Sequence, residues 1–136
     1  MAKKIKKDYT YAVGRRKESS ARVRIYKGKG DNLVNDKPVS EYFPGAQNQV
    51  KWEKAFKETD TLAKYYFSAK VSGGGKSGQL DAVVLGIARA LSLLDPVKFR
   101  IPLKKAKLLS RDPRIRERRK VGTGGKARRK KQSPKR

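Results

Sequence analysis

The chain has 136 residues, of which 37 are Lys or Arg and 12 are Asp or Glu, so its formal charge at neutral pH is +25. It contains no cysteine and no histidine. Their absence excludes disulfides, thiolate nucleophiles, Cys/His zinc sites and imidazole bases. A surface so strongly of one sign attracts polyanions, and the length allows one domain of roughly 100 residues with a modest core.

The first part of the body predicts a hairpin followed by a short third strand. Residues 9–13 are aromatic and β-branched, which favours a strand. In residues 20–27 two sets of side chains alternate, so one set faces a core and the other faces outward. The core set is Ala21, Val23 and Ile25, and the outward set is Arg22, Arg24 and Tyr26. Turn signals at 28–31 and 35–38 flank Leu33 and Val34, so two or three antiparallel strands are expected to open the domain.

The second part predicts two helices on either side of another strand. Residues 49–58 are a helix candidate, residues 65–72 alternate again, and residues 78–94 carry an apolar stripe at helical spacing. The stripe comprises Leu80, Val83, Val84, Ile87, Leu91 and Leu94. Ser77 is expected to cap this helix, and Gly86 within it indicates that another backbone packs closely there.

The elements together predict an α+β fold of the broad α/β class, a two-layer sandwich in which a sheet of about four strands carries helices on one face. A last short helix is expected from about residue 97 to 107. We expect a basic leader over 1–8, a nucleic-acid-binding α/β domain over 9–110 and an extended basic tail over 111–136. The tail has 13 Lys or Arg against two acids and few apolar side chains, so an anionic partner is needed to order it.

A glycine-rich segment, residues 73–79, joins the second alternating strand to the long helix. Glycines before a helix N-terminus let backbone N–H groups approach a phosphate closely. The candidate nucleic-acid contacts here are Gly74, Gly75, Lys76, Ser77, Gly78 and Gln79. The nucleotide-binding loop G-x-x-x-x-G-K-[ST] matches only in part, because its first glycine would fall on Lys70. A flexible turn with a good cap is the structural alternative.

A second basic cluster lies between the first two strands. Arg15, Arg16 and Lys17 are candidate phosphate contacts, since guanidinium groups match phosphate oxygens with two hydrogen bonds. Arg22 and Arg24 extend the cluster, and the neighbouring Tyr26 suggests packing on a ribose or a base. A solvated hairpin tip is the alternative. The acids have plain structural positions beside basic residues, so neither enzymatic activity nor a cofactor or metal is expected.

Three spaced motifs resemble the family of protein nine of the small ribosomal subunit, in its bacterial or organellar branch. They are residues 73–79 with Ala82 and 86–91; residues 14–17 with 21–23; and residues 108–112 with 117–120 and 135–136. The match covers nearly the whole chain in order. Two positions depart from the family pattern: Pro134 precedes the terminal pair, and Lys107 stands where relatives often have glycine.

The resemblance implies a domain bound to small-subunit ribosomal RNA near the head of the subunit, beside other head proteins. It assigns ribosomal RNA contacts in the tail to Arg111, Arg114, Arg118, Arg119, Lys120, Lys126, Arg128 and Arg129. It also implies that Lys135 and Arg136 contact the transfer RNA in the peptidyl site. The implied location is a cytoplasmic ribosome, with a plastid or other organellar ribosome left open.

Other functions remain open on the residues alone. A nucleoid-type DNA-binding protein would use the same charge, and a nucleotide hydrolase would depend on Lys76. A membrane-surface role is disfavoured because the tail has no apolar face to insert, and no stretch approaches the roughly 18 apolar residues of a membrane span. No small-molecule substrate is expected.

Overall fold

The computed structural model describes residues 8–118, and its helices and strands follow the predicted order. The strands are β1 (Tyr9–Arg16), β2 (Ser19–Lys27), β3 (Leu33–Val34), β4 (Lys37–Pro38) and β5 (Tyr65–Ser72). The helices are α1 (Val39–Tyr42), α2 (Ala46–Glu58), α3 (Lys76–Leu94) and α4 (Pro96–Lys105). The helix predicted from residue 49 thus begins at Ala46, directly after Gly45, whose φ of +104° favours glycine.

The strands form one mixed sheet in the order β1-β2-β5-β3-β4. β1 pairs with β2, and β2 with β5, in antiparallel fashion, whereas β3 runs parallel to β5 and antiparallel to β4. The predicted α+β class is confirmed. The sheet has five strands rather than about four, because Lys37–Pro38, predicted only as part of a turn, pairs with β3 as a short edge strand.

The sequence left open whether two or three antiparallel strands open the domain, and the structure has two, because β3 does not extend the β1–β2 hairpin. Two asparagine side chains attach β3 to β5 instead. The Asn32 side-chain oxygen accepts from the Phe67 N–H at 3.1 Å. Asn35 accepts from the Val71 N–H at 2.9 Å and donates to the Val71 carbonyl at 3.2 Å. Both amides satisfy backbone groups of β5, which places β3 beyond that strand.

Helix α3 occupies the centre of the core, packed on β1, β2 and β5 with α2 and α4 beside it. The predicted inward residues of β2 are buried, and so are Phe67, Ala69 and Val71 of β5. Four members of the predicted helical stripe are buried, whereas Val84 and Leu94 are half-buried. By length and composition α3 would suit a membrane span, but its packing identifies a core helix.

The closest approach between sheet and helix occurs where Gly14 of β1 meets Gly86 of α3. A Cβ on Gly86 would lie 2.6 Å from Val23 Cγ2 and 3.3 Å from the Gly14 nitrogen. A Cβ on Gly14 would collide with the Ala82 carbonyl oxygen and lie 2.5 Å from the Gly86 nitrogen. The predicted close packing at Gly86 is therefore confirmed, and it fastens the edge strand β1 to the core helix.

Helix α4 ends in a Schellman motif. The Lys107 N–H donates to the Lys104 carbonyl at 3.1 Å, and the Leu108 N–H donates to the Leu103 carbonyl at 3.0 Å. Lys107 adopts a φ of +59°, a conformation that glycine adopts without steric cost. This geometry explains why glycine suits the position at which this chain carries lysine.

Candidate nucleic-acid interface

The sheet face opposite the helices is basic. Arg22 and Arg24 are exposed on it, as predicted, and the register places Lys70 of β5 beside Arg22. Outward residues alternate with buried ones on β1, β2 and β5. None of these outward residues, from Tyr9 to Arg15, Ser20 to Tyr26 and Tyr66 to Ser72, is an acid. The face therefore offers cations without neighbouring carboxylates to neutralise them.

Tyrosines form a row across this face. The rings of Tyr26 and Tyr66 stack at 5.1 Å between centroids with an angle of 15°. Tyr9 lies 5.7 Å from Tyr26 at 58°, and Arg24 Cζ sits 4.8 Å from the centroid of Tyr9. Gly30 covers Tyr66, since a Cβ there would lie 3.0 Å from the ring.

The row has a chemical consequence. Tyr26 has Tyr66 on one side and Tyr9 on the other, so its ring is engaged within the protein and is poorly placed to stack on a base. Of the two contacts that the sequence suggested for Tyr26, a ribose is favoured. Hydroxyl and guanidinium groups on such a face suit sugar and phosphate, which position RNA without reading its sequence. Tyr9, Tyr66 and Lys70 were not identified from the sequence. Tyr66 and Lys70 lie on β5, and local pattern does not show that β5 pairs with β2.

Arg16 differs from its neighbours Arg15 and Lys17, which are exposed. Its side chain is only 12% exposed; its Nε lies 3.6 Å from an Asp81 oxygen, and its Nη1 lies 3.3 Å from an Asp112 oxygen. Nη1 also donates to the Arg114 carbonyl at 2.7 Å. Arg16 thus joins the hairpin, α3 and the start of the tail, and its guanidinium is already engaged within the protein.

Asp112 and Arg114 reinforce this attachment. The Arg114 guanidinium donates to both Asp112 carboxylate oxygens, at 3.0 and 2.7 Å, and the Arg114 N–H donates to one of them at 3.0 Å. These hydrogen bonds, with the charge of Arg16, hold the pKa of Asp112 far below its usual range. The carboxylate in turn raises the pKa of Arg114. The pair stays ionised at neutral pH.

The glycine-rich segment is held by side chains that turn inward. Ser19 Oγ and Gln79 Nε2 each donate to the Gly73 carbonyl at 3.0 Å, and the Tyr42 hydroxyl donates to Gln79 Oε1 at 2.7 Å. A Cβ on Gly78 would lie 3.0 Å from Ser19 Oγ. Gln79 and Gly78, both candidate RNA contacts, therefore already have close packing partners within the fold.

The other residues of the segment surround the start of α3. The helix begins at Lys76, and its N-cap is Gly75, with no side-chain cap. The prediction that Ser77 caps the helix is wrong, because Ser77 lies inside the first turn. Lys76 Nζ lies 3.4 Å from the centroid of the Tyr42 ring. Gly74 adopts a φ of +58° and packs on Ser19 Oγ, so glycine is needed there for conformation and for space.

A cleft of about 550 Å³ opens where the hairpin tip, the start of α3 and the tail meet. Three cations line it: Lys17 from the hairpin, and Arg111 and Arg116 from the tail. Glu18 is the one acid among the described residues that line it. The uncapped N–H groups of α3 and its dipole add positive potential, so the cleft suits a phosphate. Arg116 was not identified from the sequence, since nothing local shows that the tail folds back here.

The remaining candidates lie in the tail. Arg111, Arg114 and Arg118 are exposed within its described part. The other predicted contacts lie outside the described residues: Arg119, Lys120, Lys126, Arg128, Arg129, Lys135 and Arg136. Within residues 8–118, no group of three or more His, Cys, Asp or Glu side chains is placed to hold a metal ion.

Comparison with known proteins agrees with the motifs. The family model for ribosomal protein S9/S16 matches residues 14–136. Small ribosomal subunit protein uS9 of Maridesulfovibrio salexigens is 46% identical over 119 residues, which cover 88% of this chain and 91% of that protein. Protein uS9 of Desulfotalea psychrophila is 48% identical over 118 residues, covering 87% and 90%. The resemblance is confirmed: the chain belongs to the ribosomal protein S9/S16 family.

Proposed function

We propose that the chain holds small-subunit ribosomal RNA by two surfaces, the basic sheet face and the cleft at the start of α3. As a member of its family it is a structural, RNA-binding protein of the small ribosomal subunit and not an enzyme. The relatives are bacterial, which supports a location of this chain on a cytoplasmic ribosome. An organellar ribosome stays a prediction.

The observation that carries this proposal is the sheet face itself. It exposes Arg22, Arg24 and Lys70 with no acid among the outward side chains of its three main strands. Each phosphate neutralised by such a cation releases condensed counterions, which supplies affinity without sequence specificity. The tyrosine row, with Tyr26 engaged on both sides, favours sugar and phosphate as ligands over bases.

The test compares two pairs of substitutions with equal loss of charge. Arg22→Gln with Arg24→Gln removes two exposed arginines from the sheet face. Lys51→Gln with Lys54→Gln removes two exposed lysines from α2. In filter binding to a small-subunit ribosomal RNA fragment, we expect the first pair to weaken binding about tenfold. The slope of log affinity against log salt should also fall by roughly 1 for each arginine. Equal losses for the two pairs would contradict the proposal.

We also propose that Lys135 and Arg136 contact the peptidyl-site transfer RNA. The support is the family resemblance of the tail and its density of positive charge, since these two residues lie outside the described part of the chain. Deleting both should lower transfer RNA affinity for the peptidyl site of reconstituted subunits several-fold, with a loss that shrinks as salt rises. Lys130→Gln with Lys131→Gln is the matched control. Unchanged affinity across a salt series would remove the proposed role.

A further inference from the structure

Charge is unevenly distributed along this chain. Residues 31–60 contain six of the 12 acids, with four Lys and no Arg. Their net charge is −2, which leaves +27 on the rest of the chain. These residues form β3, β4, α1 and α2, so the acidic stretch is one end of the folded domain, at the sheet edge opposite β1.

A groove of about 660 Å³ lies in this end of the domain, which we call the α1–α2 groove. Phe43 and Trp52 line it but are only 3% and 6% exposed, so its accessible apolar surface comes from the exposed Pro38 and Ala46. Asp31 and Glu53 line it as acids, and among residues 8–118 no Lys or Arg lines it. The cleft at the start of α3, by contrast, is lined by three cations. The two concave surfaces are thus opposite in sign.

Glu53 is held in place but remains able to accept a new cation. One carboxylate oxygen accepts from Gln49 Nε2 at 3.0 Å, and the other lies 3.4 Å from Lys57 Nζ. The Glu53 side chain is 14% exposed, whereas that of Lys57 is 56% exposed. Such an i,i+4 pair with a solvated lysine is weak. A guanidinium, with its planar fork of donors, replaces the lysine readily.

We propose that the α1–α2 groove binds an extended, arginine-rich segment of a neighbouring ribosomal protein. An arginine side chain lies with its aliphatic stem over the exposed Pro38 and Ala46, and its guanidinium meets Asp31 and Glu53. The proposal rests on the proposed function, which places the chain among other proteins of an RNA-rich particle. RNA is disfavoured as occupant, because its phosphates would face the carboxylates of Asp31 and Glu53, and the solvated Lys57 beside Glu53 offsets only one of them.

The test uses Trp52, the only tryptophan of the chain, as a reporter inside the groove. The probe is a synthetic Arg-Gly repeat peptide with a dansyl group, added to the full-length protein. We expect saturable energy transfer from Trp52 to the dansyl group. Asp31→Asn with Glu53→Gln should raise the Kd of the peptide about tenfold.

Glu58→Gln with Asp60→Asn is the matched control, since it removes two exposed acids outside the groove with the same change in net charge. This pair should leave the peptide Kd unchanged, and both pairs should leave ribosomal RNA affinity essentially intact. The two measurements therefore distinguish a failure of the peptide-binding proposal from a failure of the RNA-binding proposal, whose surfaces lie on other elements.

Several outcomes would overturn the proposal. One is the absence of saturable transfer, and another is an equal loss of affinity in the two pairs. A third is competition of an oligouridylate with the peptide for the groove, which would make the groove an RNA site. A fourth is a dimer in sedimentation that dissociates on adding the peptide, which would make a second copy of this chain the occupant.

Discussion

The two edges of the sheet carry opposite chemistry on one small domain. At the β1 edge, Arg15 and Lys17 are exposed, and the tail adds Arg111 and Arg116 around the start of α3. At the β4 edge, the α1–α2 groove presents carboxylates, and no cation lines it within the described part of the chain. The net charge of +25 does not show this division, because it is a sum over surfaces that attract different partners.

The opposite charges of the two edges explain how so basic a chain can bind RNA on one part of its surface only. Phosphates gather where cations converge and avoid the end where acids predominate. A protein partner can then occupy the acidic end while RNA occupies the basic one. The two surfaces are built from different elements. β1, β2 and the tail supply the basic surface, whereas β3, α1 and α2 supply the acidic one.

The largest effect is expected from breaking the attachment of the basic edge to the core. Gly14→Ala places a methyl group against the Ala82 carbonyl and the Gly86 amide. We expect the free energy of unfolding to fall by about 3 kcal/mol in urea denaturation, because backbone must move to make room. Gly75→Ser is the control, since a Cβ there meets no atom within 4 Å and serine suits an N-cap. Similar midpoints for the two variants would contradict this account.

A smaller effect is expected from detaching the start of the tail. Arg16→Met keeps the aliphatic stem but removes the contacts to Asp81, Asp112 and the Arg114 carbonyl. The free energy of unfolding should fall by about 1.5 kcal/mol, the low end of the scale for hydrogen bonds to charged groups, because both carboxylate partners are partly exposed. Trypsin should then cleave the folded protein faster after residues 111 and 114. Arg15→Met, at an exposed position, should not change the rate; equal acceleration by both variants would refute the role of Arg16.

The smallest effect is the dependence of the tail attachment on pH, which tests whether ionised Asp112 holds the segment at Arg114. Its pKa in the folded chain is depressed below the unfolded value of about 3.9, so its contribution is fully present above that value and is lost only as pH falls through the lowered pKa. Amide exchange at Arg114, corrected for its intrinsic rate, should therefore show constant protection from about pH 8 to about pH 4. Protection that disappears near neutral pH would show that Asp112 does not hold this segment.

Much of the fold follows from local pattern. The alternation in β2 correctly placed Val23 inward and Arg24 outward, because a strand has a period of two and only one face of this sheet is covered. The helical stripe located α3 within two residues of its start, although its N-cap proved to be Gly75. Close packing at Gly86 was also correctly inferred from the cost of glycine within a helix.

What local pattern missed depends on contacts between distant residues. Asn32 and Asn35 look like turn residues, yet their side chains fix the place of β3 in the sheet. Arg16 looks like one member of a basic cluster, but strand pleating turns it away from Arg15 and toward α3. Within the candidate site, the exposed arginines were identifiable from sequence, while the cleft and the groove were not, because each is assembled from separate elements.

The attachment of the chain at Arg114 limits the distance that the tail can reach from the folded domain. Arg136 lies 22 residues beyond this anchor, and 22 fully extended residues span at most about 80 Å. Arg136 is thus confined to a sphere of that radius around the hairpin tip, and each residue inserted beyond the anchor widens it by at most about 3.6 Å. In a ribosome where the peptidyl-site transfer RNA lies beyond this radius, no amount of positive charge at the tip would bring the two together.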